Sequence, residues 1–510
     1  QELKDYEEAL YYTKQALVYK SKKALSDGEG GYYKQETVSN YLTLIYIYQS
    51  SGEHNKIPEL LKKVKAIIGN NEGEKMQLLS AQVLLAESLF DRTKETPDFM
   101  NAVASSNIAL ALCEKITEKS SDNYQNAAIQ LIYSYVAMDS LKAALTLNKE
   151  MFSGLVKNFN PENDFDNPDF SKTNVSNIDN LLNGLRLKCE ILDKMYLKNH
   201  HQKLNELITE TSALGISLID QLRSNSLSFY TKQRLIASNS SLYEYNINAY
   251  LRENENSTDA FNTSESARLN TTIENIAKNN AEIVLNIPDS IQQFESDLKN
   301  KLNYYESLLI EDKENLAIQS EVFDLKKNLD SLLKSLKVKY PNYHRISYDK
   351  DVADVETVQN KILNKDKALL EYFLQGDSLI HVFGITNNTY EAATIHVDGD
   401  FWSALDSVQT FLSTRHSQLK GDQASFKAFK ENAYYLYSLL MKPLKKVLTK
   451  EEIVIIPDGK LSLLPFEVLL TKQSSQGNYH ELPYLLKNHV ISYAQSASFL
   501  MSQQENNIDF

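Results

Sequence analysis

The side chains that could act as a thiolate nucleophile and its base in this 510-residue chain are two cysteines and nine histidines. Cys113 in "ALALCEK" and Cys189 in "LRLKCEI" both fall in helix-like apolar runs. Each reads as a small core residue, and neither has a partner spacing for zinc. The histidines nearest Cys189 in sequence are His200 and His201. They lie about three turns along what reads as one helical stretch, roughly 16 Å of axial rise, which is too far for a thiolate–imidazole pair. His381 and His396 fall in strand-like runs and read as strand histidines, while His480 and His489 flank a loop and a strand without a cysteine partner. These spacings lead us to expect no metal, no cofactor and no catalytic dyad in this chain. The remaining chemistry-bearing candidates are two carboxylates, Asp458 and Glu467, in "PDGKLSLLPFEVLL".

Those carboxylates need a strand to position them, and "EIVII" supplies it. Ile453–Ile456 is an apolar, β-branched run without a polar face, so it should be an interior strand with neighbours on both sides. Pro457 ends the strand because it cannot donate a ladder hydrogen bond, and Asp458-Gly459 makes the turn. Leu461, Leu463, Leu464 and Phe466 are then expected to fold back onto the core. Ligands of open α/β sheets gather at the carboxyl ends of strands. Pro457, Asp458, Gly459, Pro465, Phe466 and Glu467 are therefore the candidate pocket, with Asp458 and Glu467 suited to a basic substrate side chain.

The preceding chain is of a different kind. Only 15 glycines and 10 prolines punctuate it, and no proline occurs between Pro168 and Pro288, which is a helical profile. Three windows, "DYEEALYYTKQAL", "DFMNAVASSNIAL" and "DAFNTSESARL", carry alanine pairs at the same separation: Ala9/Ala16, Ala102/Ala109 and Ala260/Ala267. That separation is close to two helical turns, so both alanines of a pair face one way and admit a neighbouring helix. The pattern resembles the tetratricopeptide repeat, with units longer than the usual length of about 34 residues. A polar loop, Asn158–Asn174, interrupts the array. Ile287–Tyr343 reads as a helical hairpin bounded by Pro288 and Pro341. "ALLEYF", "LIHVFGI" and "TYEAATIHV" then read as a β-meander. Two helices follow, then the apolar strand, then "HVISYAQSASFL" as a strand entering a helix capped by Ser496 or Ser498. The expected fold is α + α/β. Residues 1–286 form an α-solenoid of repeat-like helix pairs, 287–345 a hairpin linker, and 346–510 the first half of an α/β domain with a partly parallel sheet.

Composition narrows the function classes. The net charge is −13, with lysines scattered among the acids, so the basic stripe of a nucleic-acid binder is missing. No run approaches the roughly 18 apolar residues of a spanning helix. Two unpaired cysteines suit a reducing, cytoplasmic compartment. Export is left open because the chain starts at Gln1, where a leader could have been removed. A solenoid's concave face binds protein or peptide by default, and that is the expected partner.

The end of the chain resembles a known family. "VIIPDGKLSLLPFEVLL" followed by "ISYAQSASFL" is similar to the first half of a CHAT domain, a caspase-like cysteine peptidase module that follows tetratricopeptide repeats. "AFNTSESARL" resembles the last repeat before such domains, "YPNYHRISY" their lead-in segment and "ALLEYFLQGDSLIHVFGIT" their first hairpin. The resemblance covers about Asp259–Phe510. It implies a His-Gly after one strand and a Cys after the next, with the thiolate attacking a peptide carbonyl and backbone N–H groups holding the oxyanion. None of the nine histidines here precedes a glycine. The dyad is thus expected beyond Phe510, and residues 1–510 alone are expected to be inactive. The alternative is a non-catalytic interaction scaffold with a pseudo-peptidase domain.

Overall fold

The structure, a computed structural model, describes residues 2–24, 30–68, 73–169, 175, 177–224, 239–278, 287–311, 315–341, 343–344, 352–413, 423–475 and 478–505. The chain divides into two compact units, Gln1–Gly215 and Ile216–Phe510.

The first unit is helical: α1 (Glu2–Ala24), α2 (Gly30–Ser50), α3 (Ile57–Ile68), α4 (Glu74–Thr93), α5 (Phe99–Ile116), α6 (Asp122–Ala137), α7 (Leu141–Leu155), α8 (Ile178–Asn199) and the start of α9 (Gln202–Ser224). Each helix from α1 to α8 packs on the next, and α2, α4, α6 and α8 also stack in turn. The sequence patterns explain this packing. In α3 the buried side chains Ile57, Leu60, Leu61, Val64 and Ile68 make one apolar stripe. In α5 the buried positions Ala102, Ser106, Ala109 and Cys113 are small, so neighbouring backbones come close. At Gly184 a Cβ would sit 2.7 Å from the Phe152 ring, a comparably tight approach between α8 and α7.

The alanine pairs divide by position. Ala102, Ala109 and Ala260 are fully buried, Ala16 and Ala267 are half-buried, and Ala9 is exposed. The expected buried contact therefore fails at Ala9, in the amino-terminal half of α1. Both cysteines are buried free thiols in helices.

The polar loop between α7 and α8 is built around a cation. Lys188 of α8 is fully buried. Its ammonium donates to the Phe165 carbonyl at 2.6 Å, the Asp166 carbonyl at 2.8 Å and Asn167 Oδ1 at 2.7 Å. Three N–H groups meet three acceptors, and burial pushes the lysine pKa down to about 8. The loop's second half, from residue 170, falls largely outside the described residues.

The second unit is a layered α/β structure. α10 (Ser240–Glu253) and α11 (Thr258–Lys278) precede the hairpin α12 (Asp289–Glu311) and α13 (Leu316–Lys339). The hairpin holds a buried Glu295–Lys299 ion pair at 2.6 Å, and Tyr343 Oη donates to the same glutamate at 2.7 Å. Strands β1 (Lys367–Gln375), β2 (Leu379–Thr386) and β3 (Thr389–His396) form the meander. Helices α14 (Gly399–Ser413) and α15 (Gln423–Leu440) follow, then β4 (Glu452–Ile456), β5 (Val490–Tyr493) and α16 (Ala497–Glu505).

The sheet order is β3-β2-β1-β4-β5. β1 is antiparallel to β2 and parallel to β4, and β4 is parallel to β5. The expected interior strand is therefore found, with all of Ile453–Ile456 buried. Strand alternation divides the sheet's side chains between two layers. Ala368, Leu370, Tyr372, Val382, Ile453 and Ile455 join one core with Phe401, Leu405, Phe429 and Leu436 of α14 and α15. On the other face Phe261 of α11 meets Phe383 of β2 edge-on, with ring centroids 5.9 Å apart. The Tyr390 hydroxyl donates to the Ser257 carbonyl at 2.8 Å, and the Ala392 N–H donates to Asn256 at 3.0 Å. The α10–α11 pair is thus a layer of the sheet. Among the described residues no helix is long and apolar enough to cross a membrane.

Candidate functional site

Where β4 ends, its role passes to a side chain. β1 pairs with β4 only as far as Glu371 opposite Ile456. Three residues further along β1 the Leu374 N–H donates to Asp458 Oδ2 at 2.8 Å, so the half-buried carboxylate continues the contact between the two chain segments. Glu244 of α10 stands in the same field, and burial and then Asp458 raise its carboxyl pKa. Gly459 turns the chain at a φ of 47° and opens the short 3-10 turn Gly459–Leu463. That turn buries Leu461 and Leu464 but leaves Leu463 69% exposed. The expectation that Leu463 folds onto the core is corrected, because the tight turn aims it outward.

Pro465 opens a second 3-10 turn, Phe466–Val468. Phe466 is fully buried with its ring 5.3 Å from that of Tyr372. Its N–H donates to Tyr493 Oη at 2.8 Å, and that hydroxyl donates to Glu467 Oε2 at 2.6 Å. Asp458 therefore bonds toward β1 and Glu467 toward β5, on opposite sides of β4. Pro457 is joined to Asp458 through the chain and offers its carbonyl to a group that the sequence did not reveal as functional.

That group is Arg268 of α11. Its guanidinium donates to the Pro457 carbonyl at 3.0 Å and to the Tyr372 carbonyl, and Nε faces Glu371 Oε1 at 3.1 Å. Ser264, one turn earlier, donates to the same Glu371 oxygen. Glu265 reaches the other way, to the start of α16. Its carboxylate accepts from the Ala497 N–H at 2.9 Å, the Ser498 N–H at 2.8 Å and the Ser498 hydroxyl at 2.6 Å. The Ala353 N–H donates to the Ser498 hydroxyl at 2.9 Å. Ser496 caps α16 by accepting from the Phe499 N–H at 3.0 Å.

One face of α11 thus binds β1, the end of β4 and α16 together. Phe261, Ser264, Glu265 and Arg268 fall on that face by helical spacing, and all four are buried. The signal in "AFNTSESARL" is an acid and an arginine at core positions of an otherwise apolar stripe. A satisfied polar core is the only way such a stripe can be buried.

The histidines singled out in and around the sheet are strand, turn and loop residues. His381 is almost fully buried between Thr394 Oγ1 at 3.0 Å and Gln375 Oε1 at 3.2 Å. Burial pushes its pKa down to about 4, so it is neutral. His489 Nδ1 lies 2.8 Å from the Lys450 carbonyl, and His480 is exposed. Cys113 and Cys189 have no exposed surface, and burial raises both thiol pKa values. Among the described residues no group of three His, Cys, Asp or Glu side chains is placed to hold a metal ion.

Most of α15, then β4, the two 3-10 turns, β5 and α16 make up the part of the chain that matches a known family. Residues 430–509 match the CHAT domain. This segment carries all six strand-end candidates, and the CHAT family is related to caspase-like peptidases. A search of curated proteins gave no match. The Glu265–Arg268 face of α11 thus ties the CHAT-matching segment to β1, through the Pro457 carbonyl and the start of α16.

Proposed function

We propose that this chain joins a protein-binding helical array to the amino-terminal half of a caspase-like module, and that residues 1–510 do not supply the module's catalytic His and Cys. In this reading residues 1–286 are a tetratricopeptide-like solenoid whose concave face takes a protein or peptide, not nucleic acid, in the cytoplasm. Its last pair, α10–α11, doubles as the layer that carries the sheet. Residues 287–345 are a hairpin linker and 346–510 the half-module. Pro457, Asp458, Gly459, Pro465, Phe466 and Glu467 border the substrate-facing end of the sheet, and partner binding to the array regulates cleavage through α11.

The observation that carries the reading is the CHAT match across β4, β5 and α16, in a chain whose two cysteines are both buried in helices. A nucleophilic thiol needs a lowered pKa and access, and both are reversed at Cys113 and Cys189.

Titration of folded protein with a chromogenic disulfide at pH 7 tests this. Neither thiol is expected to react until denaturant is added, when both of the chain's two cysteines should react. A thiol that reacts within seconds in the folded protein would be a candidate nucleophile and would overturn the assignment. The rival, a non-catalytic scaffold, parts from this reading in one experiment. A longer product bearing a His-Gly and a strand-end Cys should cleave peptides and lose that activity when the later Cys is replaced; the scaffold reading predicts no cleavage.

A further inference from the structure

We propose that Glu265 and Glu371 share a single proton, carried by Glu371 Oε2 and donated to the Glu265 carboxylate, and that this proton is the catch of a latch closing α11 and α16 onto the sheet. The inference holds whether or not the module is catalytic. It starts from donor and acceptor bookkeeping. Glu265 accepts three hydrogen bonds, two from the first N–H groups of α16 and one from the Ser498 hydroxyl. That is the environment of an ionised carboxylate at a helix N-terminus.

Glu371 is fully buried, and its Oε1 is occupied by Ser264 and faced by Arg268. Among the described residues Oε2 has no hydrogen-bond partner as an acceptor. A buried carboxylate oxygen left without a donor is costly. The cost disappears if Oε2 is itself a hydroxyl and Glu265 is its acceptor.

Charge balance points the same way. Among the described residues Arg268 is the one cation that bonds this cluster, and two of its contacts go to the Pro457 and Tyr372 carbonyls. With both acids ionised the buried site carries one net negative charge, and with one proton it is neutral. The remaining described neighbours supply no second cation. β3 contributes the Tyr390 phenol, already donating to Ser257. α16 contributes N–H groups and Ser498, the segment before β1 contributes the Ala353 N–H, and Phe383 and Ile456 flank Glu371 across the sheet. Consistent with this, burial and then Glu265 hold the Glu371 carboxyl well above the usual carboxylate range.

The consequence is directional. A folded-state pKa raised above the unfolded value contributes stability that is fully present below the unfolded pKa and is lost as pH rises through the folded pKa. Loss of the proton leaves an unbalanced charge at the one place where α11, α16 and the end of β4 meet. These three elements should therefore loosen together, and a pull on α11 that admits water would have the same effect.

Hydrogen exchange on the full chain tests the latch in wild type, Glu371→Gln and Glu265→Gln from pH 5 to pH 9, corrected for intrinsic rates. Glu371→Gln keeps a donor toward Glu265 and cannot ionise. Wild-type α11 and α16 amides are expected to lose protection by about tenfold or more over this range, a free-energy change of about one pKa unit. Glu371→Gln should stay within about twofold of its pH 5 protection. Glu265→Gln, which loses the charge at the α16 N-terminus, should be less protected in α16 at every pH. Should Glu371→Gln lose protection equally at all pH values, or wild type show no pH dependence, Glu371 is an ionised partner of Arg268 and the latch is wrong. If Glu371→Gln does not fold, the infrared spectrum of wild type at pH 7 decides. A protonated-carboxyl C=O stretch that is absent from the Glu371→Asp spectrum, or shifted in it, supports the latch, and no such band overturns it.

Discussion

Arg268→Met should lower the stability of the Ile216–Phe510 unit by about 3–5 kcal/mol, the usual cost of removing one partner from a buried charge cluster. The reason is local. Methionine fills much of the same volume but leaves the Pro457 and Tyr372 carbonyls without their donor. It also strands two acids, Glu265 and Glu371, in a site that has no other cation bonded to it among the described residues. Arg268→Lys should recover only part of the loss, because one ammonium cannot span both carbonyls and Glu371 as the planar guanidinium does. The measurement is convenient because the chain has one tryptophan. Trp402 lies in α14 of this unit, with its indole N–H bonded to the Asp377 carbonyl at 2.8 Å. Its fluorescence during urea unfolding reports the unit alone. A midpoint within experimental error of wild type would mean that the Glu265–Arg268 face does not hold the layers together.

Lys188→Met should cost the first unit about 3 kcal/mol, because three acceptors that now share one ammonium lose their donors. The first consequence should be proteolytic cutting in the Asn158–Asp169 loop, at a rate well above that of wild type. The substitution should also remove a pH dependence. Lys188 has a folded pKa of about 8, against about 10.4 in an unfolded chain. Between those values the unfolded chain binds the extra proton, so wild-type stability should rise with pH across that window. Lys188→Met should lack the rise. Unfolding followed by circular dichroism at pH 7, 8, 9 and 10 in both proteins separates the two effects. Equal stability and equal slopes would mean that the ammonium is solvated and the loop is not built on it.

The two residues with the largest expected effects were also the two that the sequence did not disclose, for a shared reason. Lys188 is satisfied by backbone carbonyls from a loop more than twenty positions earlier, and Arg268 by carbonyls of two strands more than a hundred positions later. Backbone acceptors carry no residue identity, so no spacing rule could find them. What was legible came from patterns with a single physical solution. Four consecutive apolar β-branched residues could only be an interior strand, and β4 is one. Alternation separated by "QGDS" and "TNN" gave the meander, and Pro341 stopped α13 where expected.

The alanine spacing was legible as helix packing but not as to the partner. A small residue admits a close neighbour whether that neighbour is another helix, as at Ala109, or a sheet, as at Ala260. For the same reason α10–α11 read as one more repeat and is found covering β1, β2 and β3. The strand-end candidates lie just past β4 and in the turn that follows, and their side chains bond away from one another. Asp458 accepts the Leu374 N–H beyond the last β1–β4 pair, where the Pro457 carbonyl is already held by Arg268, and Glu467 is drawn to Tyr493 by the second turn.

Residues 1–510 are proposed to hold a CHAT-matching segment without a working cysteine dyad. The most direct measurement incubates purified 1–510 with a peptide library, with and without thiol alkylation, beside Cys113→Ala and Cys189→Ala. The account predicts no cleavage above a no-protein control in any sample, with the substitutions affecting stability alone. Cleavage by wild type that alkylation blocks and Cys189→Ala abolishes would contradict it.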